Sequence, residues 1–319
     1  MNMKLTHLLF TVGALLLAVA GKAQKVSVDI PYRFATRAEA QMLITDIDQY
    51  TNSWNQFDIN ARLQSLNGRK SQLLTLAMES TREWGDADRS KLNKAFMAVE
   101  AAIKKQKLKL PFPSEVILLK TSMAEEGGAA AYTRENWIAI GEQVLEKASD
   151  DDLARLIAHE LFHLLTRADV AFKKKVYSVI GFNVLDRPIV FPADLMQKLI
   201  SNPDVSCHDS YAPFTIDGKS MNCAMVIYTD RAYTEGSLNQ YIQIGLVPLN
   251  EQFIPYQQNG ITTIYAPEQV SDFQERIGKN TAYAIDPEEV LADNFSYVLF
   301  GKADLSDPQL VENLAKAMQ

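Results

Sequence analysis

The chain has 319 residues, 47% hydrophobic and 22% charged, with a net charge of −7 at neutral pH. This is ordinary globular composition, long enough to bury a sizeable core. No basic run or stripe is present, which excludes a nucleic-acid partner; KKQKLK (104–109) is too short for a polybasic membrane contact and reads as a solvated helix end.

In chain order, Lys4 precedes the apolar run LLFTVGALLLAVA (8–20), which is followed by GKAQ. A basic start, a short apolar stretch and small residues are the marks of a secretory signal. The run is shorter than the ~20 residues that span a bilayer, and no cysteine follows it. Residues 1–23 are therefore expected to be a signal peptide cut after Ala20 or Ala23, giving an exported protein, periplasmic or secreted, with no membrane attachment afterwards.

Residues 24–110 read as a helical N-terminal region. A helix is predicted over 33–57 from Ala40, Leu43, Ile44, Ile47 and Tyr50, with Thr36 and Glu39 as a capping box. A second, over about 86–107, carries Leu92, Phe96, Val99 and Ile103 on one face and stops at LPFP (110–113). Residues 111–319 read as a second domain. EVILLKT (115–121) predicts a strand, EEGG (125–128) a turn, and residues 129–141 one or two strands. The segment 149–167 predicts a helix opened by Ser149 and three aspartates, with Leu153, Leu156, Ile157, Leu161 and Leu164 turned inward. Residues 170–285, rich in Pro, Gly and Asn, predict hairpins and loops, with strands near 224–229 and 239–249. A strong helix follows over 286–301, with Asp286 as N-cap, Pro287 at its first position and Gly301 as terminator, then a short one over 306–318. In an oxidising compartment Cys207 and Cys223 are expected to pair, closing a short loop worth roughly 3 kcal/mol; two buried thiols are the other reading.

The chemistry sits in HELFH, residues 159–163. Residues four apart share a helix face, so His159 and His163 can offer two imidazoles to one zinc ion, with Glu160 beside the open position as general base toward a metal-activated water. Of the four histidines, one falls in the signal, so two of the remaining three make up this motif. A third ligand has three candidates. Glu289 stands four before Asp293, which would accept a hydrogen bond from a ligand imidazole; Glu288 is the rival in register but has Ala292 at that position. Asp169 falls where other zincins place a ligand, although Thr166 stands where they need a helix-breaking glycine. The third is His208. As oxyanion donors, His208 and Tyr241 are proposed, with Tyr211, Tyr228 and Tyr233 equally open.

HELFH followed downstream by EVLAD resembles the gluzincin, or thermolysin-like, branch of zinc metallopeptidases, and the chain is also similar to uncharacterised bacterial exported H-E-x-x-H proteins. The resemblance covers about 50 residues. It implies His159, His163 and Glu289 as ligands of one zinc ion per chain, Glu160 as base and Asp293 behind a ligand histidine. It also implies a peptide or protein substrate, with the strand before the motif helix, here 129–133, binding an extended peptide by β-addition. The spacing of about 125 residues between His163 and Glu289 exceeds that of thermolysin. The expected fold is α+β and zincin-like: strands, the H-E-x-x-H helix, a loop-rich insertion and the third-ligand helix. Hydrolysis of peptide bonds is the leading expectation; a zinc amidase acting on cell-wall peptide and a non-catalytic metal-binding or structural protein are the alternatives. No feature of the sequence speaks to oligomeric state.

Overall fold

A computed structural model describes residues 29–205 and 207–319; the expected signal peptide lies outside them. The chain opens with β1 (Tyr32–Phe34), α1 (Arg37–Ile44), α2 (Gln49–Ser53), α3 (Gln56–Leu63), α4 (Lys70–Ser80), β2 (Thr81–Arg82) and the long α5 (Asp86–Gln106). The single helix predicted over 33–57 is instead three. Thr36 caps α1 as expected, but Asp48 and Asn55 each accept a hydrogen bond from the backbone N–H three residues on and start new helices. Short polar side chains compete for the backbone in this way, and Glu39, rather than closing a capping box, pairs with Arg33 at 2.6 Å.

Next come β3 (Val116–Thr121), β4 (Ala131–Arg134), β5 (Trp137–Gly141), α6 (Glu142–Lys147) and α7 (Asp150–Ala168), the helix of the HELFH motif. Strands β1, β3 and β5 run parallel, β2 pairs with one end of β3, and β4 lies antiparallel to β5 at the sheet edge. Alternation along the strands splits their side chains between two faces. Val116, Leu118, Ile138 and Ile140 enter the main core with Leu92, Phe96, Val99 and Ile103 of α5 and Leu153, Ile157, Leu161 and Leu164 of α7. Ile117, Leu119, Trp137 and Ala139 meet α1 and α4 on the other side. Burying each such large side chain is worth about 1.5–3 kcal/mol, so α7 is clamped along its whole length.

The remainder contains α8 (Val170–Tyr177), β6 (Asn183–Val184), α9 (Ala193–Met196), β7 (Ser210–Ile216), β8 (Lys219–Tyr228), β9 (Gln243–Pro248), the small hairpin β10 (Gln257–Gln258) and β11 (Ile261–Thr262), α10 (Phe273–Ile277), α11 (Pro287–Phe300) and α12 (Pro308–Ala317). Strands β6 to β9 form an antiparallel sheet in sequence order. The whole is a mixed α+β architecture, and α11 lies against α7. No helix among the described residues is long and apolar enough to cross a membrane.

The expected disulfide is absent: Cys207 and Cys223 are not joined. Cys223 sits fully buried on β8 with its side chain in the main core, where burial pushes its thiol up to about 12. Cys207 lines polar and apolar cavities on the stretch before β7, beside Lys173 and His208. The sheet alternation that sends Cys223 inward is what keeps the pair apart.

Candidate metal centre

Helix α7 starts where Ser149 Oγ accepts the Asp152 N–H, with Asp150, Asp151 and Asp152 in its first turn and Arg167 in its last. Its inner face presents His159 and His163 with ring centroids 4.8 Å apart. Helix α11 starts where Asp286 accepts the Glu288 N–H, with Pro287 at its first position. Its buried face turns Glu288, Glu289 and Asp293 toward α7.

Each histidine is oriented by a different carboxylate. His159 Nδ1 lies 2.9 Å from Asp293 Oδ1, and Asp293 in turn accepts the Thr281 hydroxyl. His163 Nδ1 lies 3.1 Å from Glu288 Oε1. Glu288 also accepts the Thr166 hydroxyl at 2.6 Å and the Tyr177 hydroxyl at 2.5 Å. A carboxylate only accepts, so both Nδ1 atoms carry a proton, which leaves Nε2 as the atom each imidazole can turn to a metal ion. Both Nε2 atoms converge on Glu289 Oε2, at 3.1 Å from His159 and 3.6 Å from His163. Glu289 Oε1 is held by Asn202 Nδ2 at 2.6 Å.

His159, His163 and Glu289 thus place three ligand atoms within 4.8 Å of one another and can hold a metal ion. Two imidazole nitrogens facing one carboxylate call for positive charge between them, supplied by imidazolium protons or by a metal ion that displaces them. His163 Nε2 is buried and has no hydrogen-bond partner, an arrangement that costs free energy when nothing is bound. The field has the same sign as the need. Burial opposes charging the imidazoles, but Asp204, Glu289 and Glu288 outweigh it and hold His163 up at about 9; Asp293 and Glu289 raise His159. Glu289 stays low, at about 2, because both imidazoles and Asn202 offset its burial. The residues fit a divalent cation.

Glu160 projects beside this group, 3% exposed, with Oε2 unpartnered. Burial and the nearby Asp204 push its carboxyl up to about 8, partly offset by the two histidines; a cation at the site would lower it again. A cleft lined by Ala129–Ala131, Arg155, His159, Glu160, Asp204, Tyr283, Glu289 and Asp293 opens onto the group.

The other proposed residues fall elsewhere. Asp169 caps α8 by accepting the Phe172 N–H, and it borders a separate cleft with Phe112 and Lys175. Tyr241 turns its hydroxyl into the loop at Thr234 and Glu235, and it packs on Phe57. His208 stands edge-on to Phe191 in a cavity of about 290 Å³ and is not among the residues that line the cleft. Neither lines the cleft beside the metal group. Burial lowers His208 to about 4, so the unfolded chain, at about 6.5, binds the proton more readily. Stability is expected to fall as pH drops from about 6.5 to about 4. The half-buried ring limits the loss to roughly 2 kcal/mol. Urea titrations of wild type and His208→Gln across that range would show a flatter profile in the variant; parallel profiles would refute it.

Four residues at the site carry no sequence signal of their own. Glu288 supports His163, a role the E-x-x-x-D pattern hides because its partner lies on α7 rather than on α11. Asn202 and Asp204 come from an irregular stretch anchored by the N-terminal helices: Ser201 is gripped by Asp58 and Arg62, themselves a buried ion pair at 2.8 Å. Tyr283, 47% exposed, borders the cleft beside His159, and partial desolvation with the surrounding carboxylates keeps its hydroxyl protonated. Removing the charge behind His163 tests the first of these. Glu288→Gln is expected to weaken metal affinity about 10- to 100-fold in a chelator competition, whereas Asp169→Asn leaves it unchanged; the reverse order would reassign the ligand sphere. In comparison with known proteins, no family model, curated protein or solved structure matches the chain.

Proposed function

We propose that the protein is a zinc-dependent hydrolase of peptide bonds, exported and zincin-like in its catalytic unit, of the gluzincin type. The observation that carries the reading is the convergence of both Nε2 atoms on Glu289, with each Nδ1 tied back to its own carboxylate. Two nitrogen ligands, one carboxylate and an open side match a catalytic zinc site, since structural sites are closed by four protein ligands.

When bound, zinc supplies Lewis acidity, making water a better nucleophile and the substrate carbonyl a better electrophile. The chain supplies the rest. Glu160, buried and without a fixed partner, takes the proton from the attacking water and passes it to the departing nitrogen. The carbon–nitrogen bond breaks, the carbonyl carbon keeps the hydroxyl, and the amine leaves with the proton. Tyr283 offers a protonated hydroxyl in the cleft wall for the carbonyl oxygen as negative charge grows there. Asp293 and Glu288 keep the imidazoles in the tautomer that leaves Nε2 free.

The test is zinc content and turnover measured together. The purified protein is expected to hold about one zinc per chain and to cleave members of a peptide library, with activity lost to a chelator and restored by zinc. A zinc-loaded chain that cleaves none of them would refute the reading.

A further inference from the structure

Strand β4 forms one wall of the cleft, and its free edge is not open along its whole length. Gly141 N–H donates to Ala130 O, so in the register with β5 the alternate residues Ala131 and Thr133 point their backbone groups away from the sheet. The outward groups of Ala131 face the cleft, but the Thr133 N–H is already taken. It donates to Asp204 Oδ1 at 2.7 Å, and the Thr133 hydroxyl donates to the same atom at 2.9 Å. Arg167 seals this end by bonding the Thr133 hydroxyl and the carbonyls of Pro203 and Asp204. An extended peptide pairing with β4 cannot run past Thr133.

The reacting position lies at that closed end. A carboxylate oxygen of Asp204 is within 4.8 Å of ligand atoms of both Glu160 and His163. No hydrogen bond reaches Asp204 Oδ2 among the described residues. Glu160 Oε2 and His163 Nε2, both nearly fully buried, are also unpartnered there. A substrate α-amino nitrogen sits about 2.5 Å from its own carbonyl carbon, so a carbonyl held beside Glu160 brings its amine within reach of Asp204. The charges agree. The free oxygen of Asp204 can accept from an ammonium and cannot accept from a carboxylate, and Arg167 is spent on the Thr133 hydroxyl and backbone oxygens. Arg155, five residues before Glu160 on α7 and so about 7.5 Å along its axis, also lines the cleft but is bonded to the Phe300 and Gly301 carbonyls.

We propose that Asp204 closes the cleft and receives the free α-amino group of the substrate, so that residues are removed one at a time from the amino end of peptides. This rests on the hydrolytic reading above, and the test separates the two. Leucine hydroxamate and N-acetyl-leucine hydroxamate would be titrated calorimetrically into the zinc-loaded full chain and into Asp204→Asn. The free amine is expected to bind at least about ten-fold tighter to wild type. In Asp204→Asn the preference collapses while zinc content holds. Equal binding of the two compounds by wild type overturns the proposal without need of any variant. So does a preference that survives in Asp204→Asn, or loss of zinc from it, which would make Asp204 a ligand. An amine preference with no peptide cleaved would remove the hydrolytic reading and leave the anchor; cleavage inside amino-blocked peptides would do the opposite.

Discussion

Glu160→Gln is expected to keep its metal and lose about 10²- to 10⁴-fold in kcat, the usual contribution of a positioned general base. The amide has the shape of the carboxylate but no affinity for the water proton. Metal is retained when the ion sits on His159, His163 and Glu289; its loss from the variant would place it on the second group able to hold one, Glu160, His163 and Asp204. The variant is also expected to be no less stable than wild type. Glu160 is buried, with one oxygen unpartnered and its carboxyl pushed up to about 8, so a neutral group there relieves a desolvation cost. Measuring kcat, zinc content and Tm on one preparation checks all three. Full activity with zinc in place would pass the role of base to Asp204.

His163→Ala should take up no zinc. It removes one of two imidazole nitrogens from a buried three-atom group, and no described histidine other than His159 faces the site. The fold should survive, because Glu288 keeps the hydroxyls of Thr166 and Tyr177. Thermal unfolding separates metal loss from misfolding. A ligand that binds only the folded state adds about 4 kcal/mol of stability at a thousandfold excess over its Kd. The wild-type Tm is therefore expected to rise with added zinc and fall with a chelator, whereas the variant melts cooperatively and ignores both. A zinc-dependent Tm in His163→Ala would mean that the metal lies elsewhere.

The helices of the site were legible from local chemistry. Ser149 before three aspartates marks the start of α7, and Asp286–Pro287 with Gly301 marks both ends of α11; each signal acts within one turn of the backbone it caps. The i, i+4 spacing alone puts His159 over His163, and Asp293 one turn beyond Glu289. Helix 33–57 was misread because apolar spacing continues across Asp48 and Asn55, whose side chains restart the backbone. The cysteine pairing failed for a similar reason. Sequence proximity brought Cys207 and Cys223 into one loop, while sheet alternation turned Cys223 into the core.

By itself the sequence determined the two helices of the site and which of their faces carry imidazole or carboxylate, because helix periodicity and capping are short-range. Only the tertiary structure decided how those faces meet. It placed Glu288, passed over for want of a partner on its own helix, against His163, and brought Asn202 and Asp204 to the metal group from a stretch pinned by Asp58 and Arg62. It also moved His208 and Tyr241 out of the cleft and put Tyr283 in. Contacts between residues so far apart in the chain depend on how layers pack, and no local pattern of residue types encodes that distance.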